Sequence, residues 1–309
     1  MLASIWAAAG IDVELRTCAE RAVPSTVSRS GYRTLRRGGR YTVFARRGAE
    51  ALWRRPAPSE GLVEVWNGMP FFSPLWWRGP RLVLLHQVHA ELWRLVLPPR
   101  LARLGEEIEL RLAPPLYRSS TIATLSRSSR EAIVERLGLP AEQILVIAPG
   151  VSSRFSPGPA SSRSSAPLVV AVGRLVPVKQ FDLLLRACAR ARERAPDLRL
   201  VIVGEGYDRA RLEHECEALG ATSWTTFAGR VSTEELVGWY RSAWVVASAS
   251  YREGWGMTLT EAAACGTPAV ASAIAGHRDA VVDGTTGLLA LGEAGLGRAI
   301  GDVLCDSEL

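Results

Sequence analysis

The stretch Ser250-Tyr-Arg-Glu-Gly-Trp-Gly-Met-Thr-Leu-Thr-Glu261 sets two carboxylates, Glu253 and Glu261, eight positions apart around a glycine-rich turn. Gly254 and Gly256 can adopt backbone conformations closed to other residues and let a ligand come close to the chain. An apolar run, Trp244 to Ala249, leads in, and a helix-forming run, Leu259 to Cys265, leads out. The stretch therefore reads as strand, loop, helix. The start of such a helix carries free N–H groups and a positive dipole end, a seat for phosphate. A carboxylate does not bind phosphate, but it suits the hydroxyls of a sugar or ribose beside one. Taken alone, the same spacing fits a core strand, a turn and a Glu that complements a helix dipole.

Lys179 is the second chemical signal. Of 37 basic residues it is the one lysine, and the other 36 are arginines. A coding bias toward arginine removes most lysines; one that persists marks a place where a compact ammonium is needed rather than a planar guanidinium. The third signal is a pair of histidines, His86 and His89, two of the four in the chain. They follow the buried-type strand Arg81–Leu85. Asn67 follows the strand Leu62–Trp66 in the same way.

The length of 309 residues suits two domains. No apolar run approaches the roughly 20 residues that span a bilayer, and Met1 to Gly10 lacks the basic leader and cleavage site of a signal peptide. Five cysteines, odd in number and scattered, fit reduced thiols and a cytoplasmic location. The charge of +6 is uneven: residues 1–151 carry 21 Arg against 13 Asp and Glu, whereas the remainder is slightly acidic. A basic first half favours an anionic partner, such as the inner face of a membrane or a lipid-linked phosphate, though solvated arginine-rich helices have the same composition. The basic residues form no single dense run, which argues against a nucleic-acid binder.

These residues must be positioned by an alternation of strands and helices. In the second half, strands at Leu168–Val172, Leu198–Val203, Thr225–Ala228, Trp244–Ser248 and Ala269–Ser272 alternate with helices, one opened by a Ser232–Glu235 capping box. In the first half, strands are expected at Asp12–Arg16, in pieces between Tyr32 and Phe44, at Leu62–Trp66, Arg81–Leu85, Thr121–Leu125 and Ile144–Ile147. Leu97–Leu112 reads as one helix, and Ser126 as the cap of another. Ser152 to Pro167, rich in Ser and Pro, reads as a linker between a domain of residues 1–151 and one of residues 168–309. The fold class is α/β, two Rossmann-like doubly wound parallel-sheet domains facing across a cleft. Ligands in such sheets sit at the carboxyl ends of strands, where His86, Arg174, Gly204 and Glu253 all fall.

Five motifs in order, Gly173-Arg-Leu-Val-Pro-Val-Lys179, Gly204-Glu-Gly206, Gly229-Arg-Val231, the Glu253…Glu261 pair and Gly284-x-x-Gly-Leu288, resemble those of the family 4 glycosyltransferases of GT-B architecture. The resemblance runs from about Val63 to the end; the first half joins it through Asn67-Gly-Met-Pro-Phe-Phe-Ser73 and His86-Gln-Val-His-Ala-Glu-Leu-Trp93. It implies a retaining transfer of a hexosyl group from a UDP- or GDP-linked sugar, without a metal ion or other cofactor, to an acceptor that includes lipid or cell-envelope glycans. It implies that Arg174 and Lys179 reach the diphosphate and that Met257 and Thr258, beside Gly254 and Gly256, offer it N–H groups. Glu261 is then placed on the ribose, Val231 at the base, and Glu253 on the hydroxyls of the transferred sugar. His86 is placed near the anomeric carbon as the catalytic histidine, with His89 as its competitor and Asn67 beside them on the acceptor side. Preorganised cations and amides of this kind stabilise a leaving diphosphate.

The chain departs from that family at its ends. It opens on what resembles the helix after the first glycine-rich loop, and Pro149 stands before Gly150-Val151 where Asn is usual. Truncation at both ends is therefore expected, and the alternative reading is a catalytically impaired nucleotide-binding protein. A phosphorylase of the same architecture needs a lysine for pyridoxal phosphate, and the one lysine is already assigned. A dehydrogenase needs Gly-x-Gly-x-x-Gly after a first strand, which is missing.

Overall fold

The computed structural model of the chain describes residues 2–19, 23–39, 42–44 and 57–305. Arg40, Tyr41 and the tail 306–309, on which parts of the expected strand pieces and terminus fall, lie outside the described residues.

The first half divides its strands between two sheets. β1 (Glu14–Thr17), β2 (Thr26–Arg29) and β3 (Tyr32–Arg36) form one, in the order β1-β3-β2, with β1 parallel to β3 and β2 antiparallel to it. β4 (Leu62–Trp66), β5 (Arg81–Leu85), β6 (Thr121–Thr124) and β7 (Ile144–Val146) form the other, all parallel and in chain order. β1 and β4 are therefore both outer strands, and Leu15, Val63 and Val65 on them are exposed. The second sheet has a proper core, in which Trp66, Val83, Leu85 and Ile122 pack on Tyr117 and on Ile133 of the helix Arg127–Leu137. Ser126 caps that helix by accepting from the Ser129 N–H at 3.0 Å, the role its sequence position predicts. The expected single helix Leu97–Leu112 is broken: Pro99–Glu107 is α-helical, and Ile108–Leu112 opens into a wide turn.

The second half is a six-stranded, all-parallel sheet. In chain order its strands are β8 (Leu168–Val172), β9 (Arg199–Val203), β10 (Thr225–Gly229), β11 (Val245–Ser248), β12 (Ala269–Ser272) and β13 (Gly287–Ala290). In space they run β10-β9-β8-β11-β12-β13. Alternate residues feed two cores: Val169 and Ala171 face the helices Phe181–Ala191 and Gly292–Cys305, while Leu168 and Val170 face Thr233–Ser242 and Met257–Ala264. Burial on both faces is why these strands are apolar throughout rather than alternating. The order reverses between β8 and β11, and the crevice at such a reversal is where a doubly wound sheet receives ligands.

Residues 152–167 lie along the second domain. Phe155 packs beside Tyr240, Arg241 donates to Ser156 O at 2.9 Å, and Trp244 Nε1 donates to Ser164 O at 2.8 Å.

Candidate functional site

β8 and β11 deliver the two halves of the site to the reversal point. After β8, the backbone of Gly173 and Leu175 runs directly under the loop that follows β9. A Cβ on Gly204 would lie 1.9 Å from Gly173 O, and one on Gly206 would lie 2.0 Å from Leu175 O. Only glycine permits that approach. The tight packing sets the turn Pro177–Lys179, and the Lys179 stem lies over Gly173. Arg174 points outward and is exposed, with no side-chain partner among the described residues.

After β11 comes the loop with Glu253. Its Oε1 takes both of its protein donors: the Lys179 ammonium and the Ser250 hydroxyl, the latter at 2.8 Å. Oε2 has no partner among the described residues. The carboxylate is thus held by one oxygen with the other left to accept. Glu261 repeats the arrangement one helix away: Oε2 accepts from the Tyr240 hydroxyl at 3.0 Å, and Oε1 accepts nothing among the described residues. Burial raises the Glu261 pKa, with the Tyr240 bond opposing the shift.

Between the two carboxylates the helix Met257–Ala264 begins at Gly256 without a side-chain cap. The N–H groups of Met257 and Thr258 meet no acceptor among the described residues, so two donors and a positive dipole end point out of the helix start. Val231 follows β10 and packs half-buried on the core below this helix, beside the exposed Arg230.

The first domain supplies the opposite wall. A Cβ on Gly254 would lie 2.3 Å from the carbonyl O of His86, so the two domains touch at this point. The Ser129 hydroxyl lies between His86 O at 3.1 Å and Gly254 O at 3.3 Å. Arg252 crosses the same gap, donating to Val88 O at 3.1 Å and facing Glu91 at 3.3 Å. Four buried polar atoms on these two facing loops have no hydrogen-bond partner among the described residues: His86 Nδ1, Gln87 Oε1, His89 Nδ1 and Trp255 Nε1. Buried polar groups are rarely left unpaired, and these four are free to meet a ligand.

The two histidines differ in setting. Burial lowers the pKa of His86. Burial brings His89 down to about 4, and the Arg252 charge adds to the shift. Both rings are therefore neutral at pH 7. His89 packs against Trp93, with ring centres 5.9 Å apart, and against Gly68, next to the exposed Asn67. His86 is the one whose backbone touches the Glu253 loop.

Three buried side chains that brace these loops are not among the residues the sequence singles out. Glu109, fully buried, accepts from the N–H groups of His89 and Ala90, each at 2.8 Å, and from Trp93 Nε1 at 2.9 Å. It holds the histidine loop, in which Ala90 sits at φ +40°. Glu64 does the same for the Asn67 loop, taking Phe71 N–H at 2.6 Å, the Tyr117 hydroxyl at 2.7 Å and the Ser73 hydroxyl. A carboxylate in the middle of the apolar run Leu62-Val-Glu-Val-Trp66 was a visible signal. His277, on the helix Ala275–Ala280, is buried behind Glu253 and carried no such mark.

Residues 155–309 match the family model described as glycosyl transferases group 1. The chain is 30% identical over 307 residues, 90% of its length and 76% of the relative's, to a GDP-mannose-dependent alpha-(1-6)-phosphatidylinositol monomannoside mannosyltransferase of Mycolicibacterium smegmatis. The chain belongs to the group 1 glycosyl transferases. It is also 37% identical over 212 residues to a D-inositol 3-phosphate glycosyltransferase of Kribbella flavida. That match takes in 63% of this chain and spans about half of that relative, 48% of its length. Among solved structures, a sucrose-phosphate synthase from Thermosynechococcus elongatus superposes with a TM-score of 0.80, covering 99% of this chain and 82% of that one at 24% identity, which establishes the shared GT-B fold. Within this family's fold, the parallel sheets flanked by helices are the two Rossmann-like domains the motifs predict.

Proposed function

We propose that this group 1 glycosyl transferase moves a hexosyl group from a UDP- or GDP-linked donor to an acceptor hydroxyl with retention of anomeric configuration. The observation that carries the proposal is the Glu253 carboxylate. It is anchored through Oε1 by the one lysine of the chain and left open at Oε2, at the reversal of the sheet, against the His86 loop.

In this reading the diphosphate lies on the Met257 and Thr258 N–H groups, with Lys179 and the exposed Arg174 beside it. Two cations and a helix start then neutralise the leaving group without a metal ion. Glu261 Oε1 receives the ribose hydroxyls and Val231 lies against the base. Glu253 Oε2 receives a sugar hydroxyl, and Gly254 and Gly256 let the backbone come close. The C1–O bond to the diphosphate breaks, and the acceptor oxygen bonds to C1 on the same face. The acceptor proton passes to the departing phosphate oxygen. His86, neutral at pH 7, orients the sugar by a hydrogen bond, and His89 and Asn67 flank the acceptor side.

A lipid-linked acceptor at an anionic membrane surface fits the first domain. Leu95, Val96, Leu101, Leu104 and Leu112 are all exposed on the helices that follow the histidine loop. Arg100 and Arg103 stand exposed among them, Arg103 close enough to Glu106 to lower its pKa, and the two guanidinium groups match anionic headgroups. No helix among the described residues is long and apolar enough to cross a membrane.

Incubation with UDP- and GDP-sugars, read by release of nucleoside diphosphate with and without a lipid-linked acceptor, tests the proposal. Nucleoside diphosphate binding without turnover would identify the impaired protein instead. Absence of any nucleotide binding would remove the site.

A further inference from the structure

We propose that His277 is a positioning residue for Glu253, acting through Ser248 and Ser250, and so sets how firmly the sugar of a nucleotide donor is held. This rests on the reading of Glu253 as the carboxylate that meets the sugar.

His277 is 1% exposed and lies where β11, β12 and the helix Ala275–Ala280 converge. Its Nδ1 is 2.9 Å from the carbonyl O of Ser272, a group that can only accept. Nδ1 therefore carries the proton. The Ser272 hydroxyl, 3.2 Å from the same nitrogen, gives its own proton to Ser250 O at 2.7 Å. Nε2 is left as an acceptor, and it faces the Ser248 hydroxyl at 3.3 Å. Ser248 in turn is 3.3 Å from the Ser250 hydroxyl. Ser250 has two acceptors within reach, Ser248 at 3.3 Å and Glu253 Oε1 at 2.8 Å, and the shorter bond to the charged oxygen wins.

The direction of each bond is thereby set: His277 fixes that of Ser248, and the charge on Glu253 fixes that of Ser250. With its proton on His277 Nε2, Ser248 gives none to Ser250, and Ser250 stays turned to Oε1. With Oε1 taken by Ser250 and Lys179, Oε2 is the oxygen left for a ligand. A second contact presses the same helix onto the same residue: a Cβ on Gly276 would lie 2.2 Å from the carbonyl O of Glu253. His277 thus fixes Glu253 by backbone packing through its neighbour and by a hydrogen-bonded chain through its ring. Among the described residues its ring forms no hydrogen bond with Met257 or Glu261.

Calorimetric titration of wild type, Ser250→Ala, His277→Asn and His277→Gln with UDP, UDP-glucose, GDP and GDP-mannose tests this without requiring turnover. Asn retains a donor near the Nδ1 position and loses Ser248; Gln reaches the Nε2 position and keeps an acceptor for Ser248. The expected result is that Ser250→Ala and His277→Asn weaken binding of the nucleotide sugar by about two- to tenfold, the span of one hydrogen bond. Binding of the matching nucleoside diphosphate stays at the wild-type value, and His277→Gln lies closer to wild type than His277→Asn. Equal losses for nucleotide and nucleotide sugar, no loss, or His277→Asn outperforming His277→Gln would overturn the positioning role while leaving the site intact. If a His277 variant binds neither ligand, Ser250→Ala decides by the same comparison. A wild-type chain that binds none of the four ligands overturns both the positioning role and the site.

Discussion

Lys179 and Glu253, 74 positions apart in the chain, meet as an ion pair at a single carboxylate oxygen. Both side chains keep about a fifth of their surface exposed, so the pair sits at the floor of the cleft rather than in the core. An ammonium with three donors can hold Oε1 and still reach a phosphate oxygen. On the proposed function, the pair would join the seat for the diphosphate to the seat for the sugar.

Removing the ammonium should uncouple both seats. Lys179→Ala is expected to weaken nucleoside diphosphate binding by about 1.5–3 kcal/mol, the range for a hydrogen bond to a charged group, or roughly 10- to 150-fold. Lys179→Arg should recover only part of it, because the planar guanidinium cannot occupy the space over Gly173 in the same way. Calorimetry with UDP and GDP measures both.

Glu261 gives the site a pH dependence. Its pKa is raised by burial, and only the ionised carboxylate accepts from both ribose hydroxyls. Nucleotide affinity should therefore fall as pH drops, at a higher pH than it would for an unburied carboxylate. Glu261→Gln should be weak at every pH and lose this dependence, and 2′-deoxynucleotides should bind the wild type less tightly than ribonucleotides.

Gly254 is one of the contacts between the domains, beside Arg252 and Ser129. A Cβ there cannot coexist with His86 O at 2.3 Å, so Gly254→Ala must move the walls apart. Displacements of about 1 Å cost on the order of 10²-fold in rate. Transfer should drop by that order while nucleoside diphosphate binding, which uses the second domain alone, changes little.

The histidine loop should make the fold acid-sensitive. The folded pKa of His89 is depressed to about 4 from an ordinary value near 6.5. Its contribution is fully present above the unfolded value and is lost as pH falls toward 4, about 3 kcal/mol in all. Melting temperature should fall across that window, and His89→Gln should flatten the fall. Glu109→Ala should lower stability at neutral pH by about 3 kcal/mol or more, because three buried donors lose their acceptor.

The exposed aliphatic face should carry membrane binding. Leu101→Ser with Leu104→Ser is expected to abolish sedimentation with phosphatidylglycerol vesicles. Arg100→Gln with Arg103→Gln should weaken it and remove its salt dependence. Neither pair should change nucleotide affinity.

The amino-acid sequence by itself determined the local pieces of this protein. The apolar strands buried on both faces, the Ser232–Glu235 capping box, the uncapped helix after Gly256, and the chemical types at Lys179, Glu253 and Glu261 follow from composition and short spacing. Such features depend on neighbours within a turn or two, and a linear pattern records them. The wide turn at Ile108–Leu112, where Glu109 reaches 20 positions back to the histidine loop, has no such local mark. Only the tertiary structure decided which groups meet: the strand order that places β8 beside β11 and so brings Lys179 to Glu253, and the approach of Gly254 to His86. The same holds for the burial of His277 behind two serines. Those contacts join residues far apart in the chain, and the order of strands that closes the distance is set by packing of the whole sheet, which no local spacing encodes.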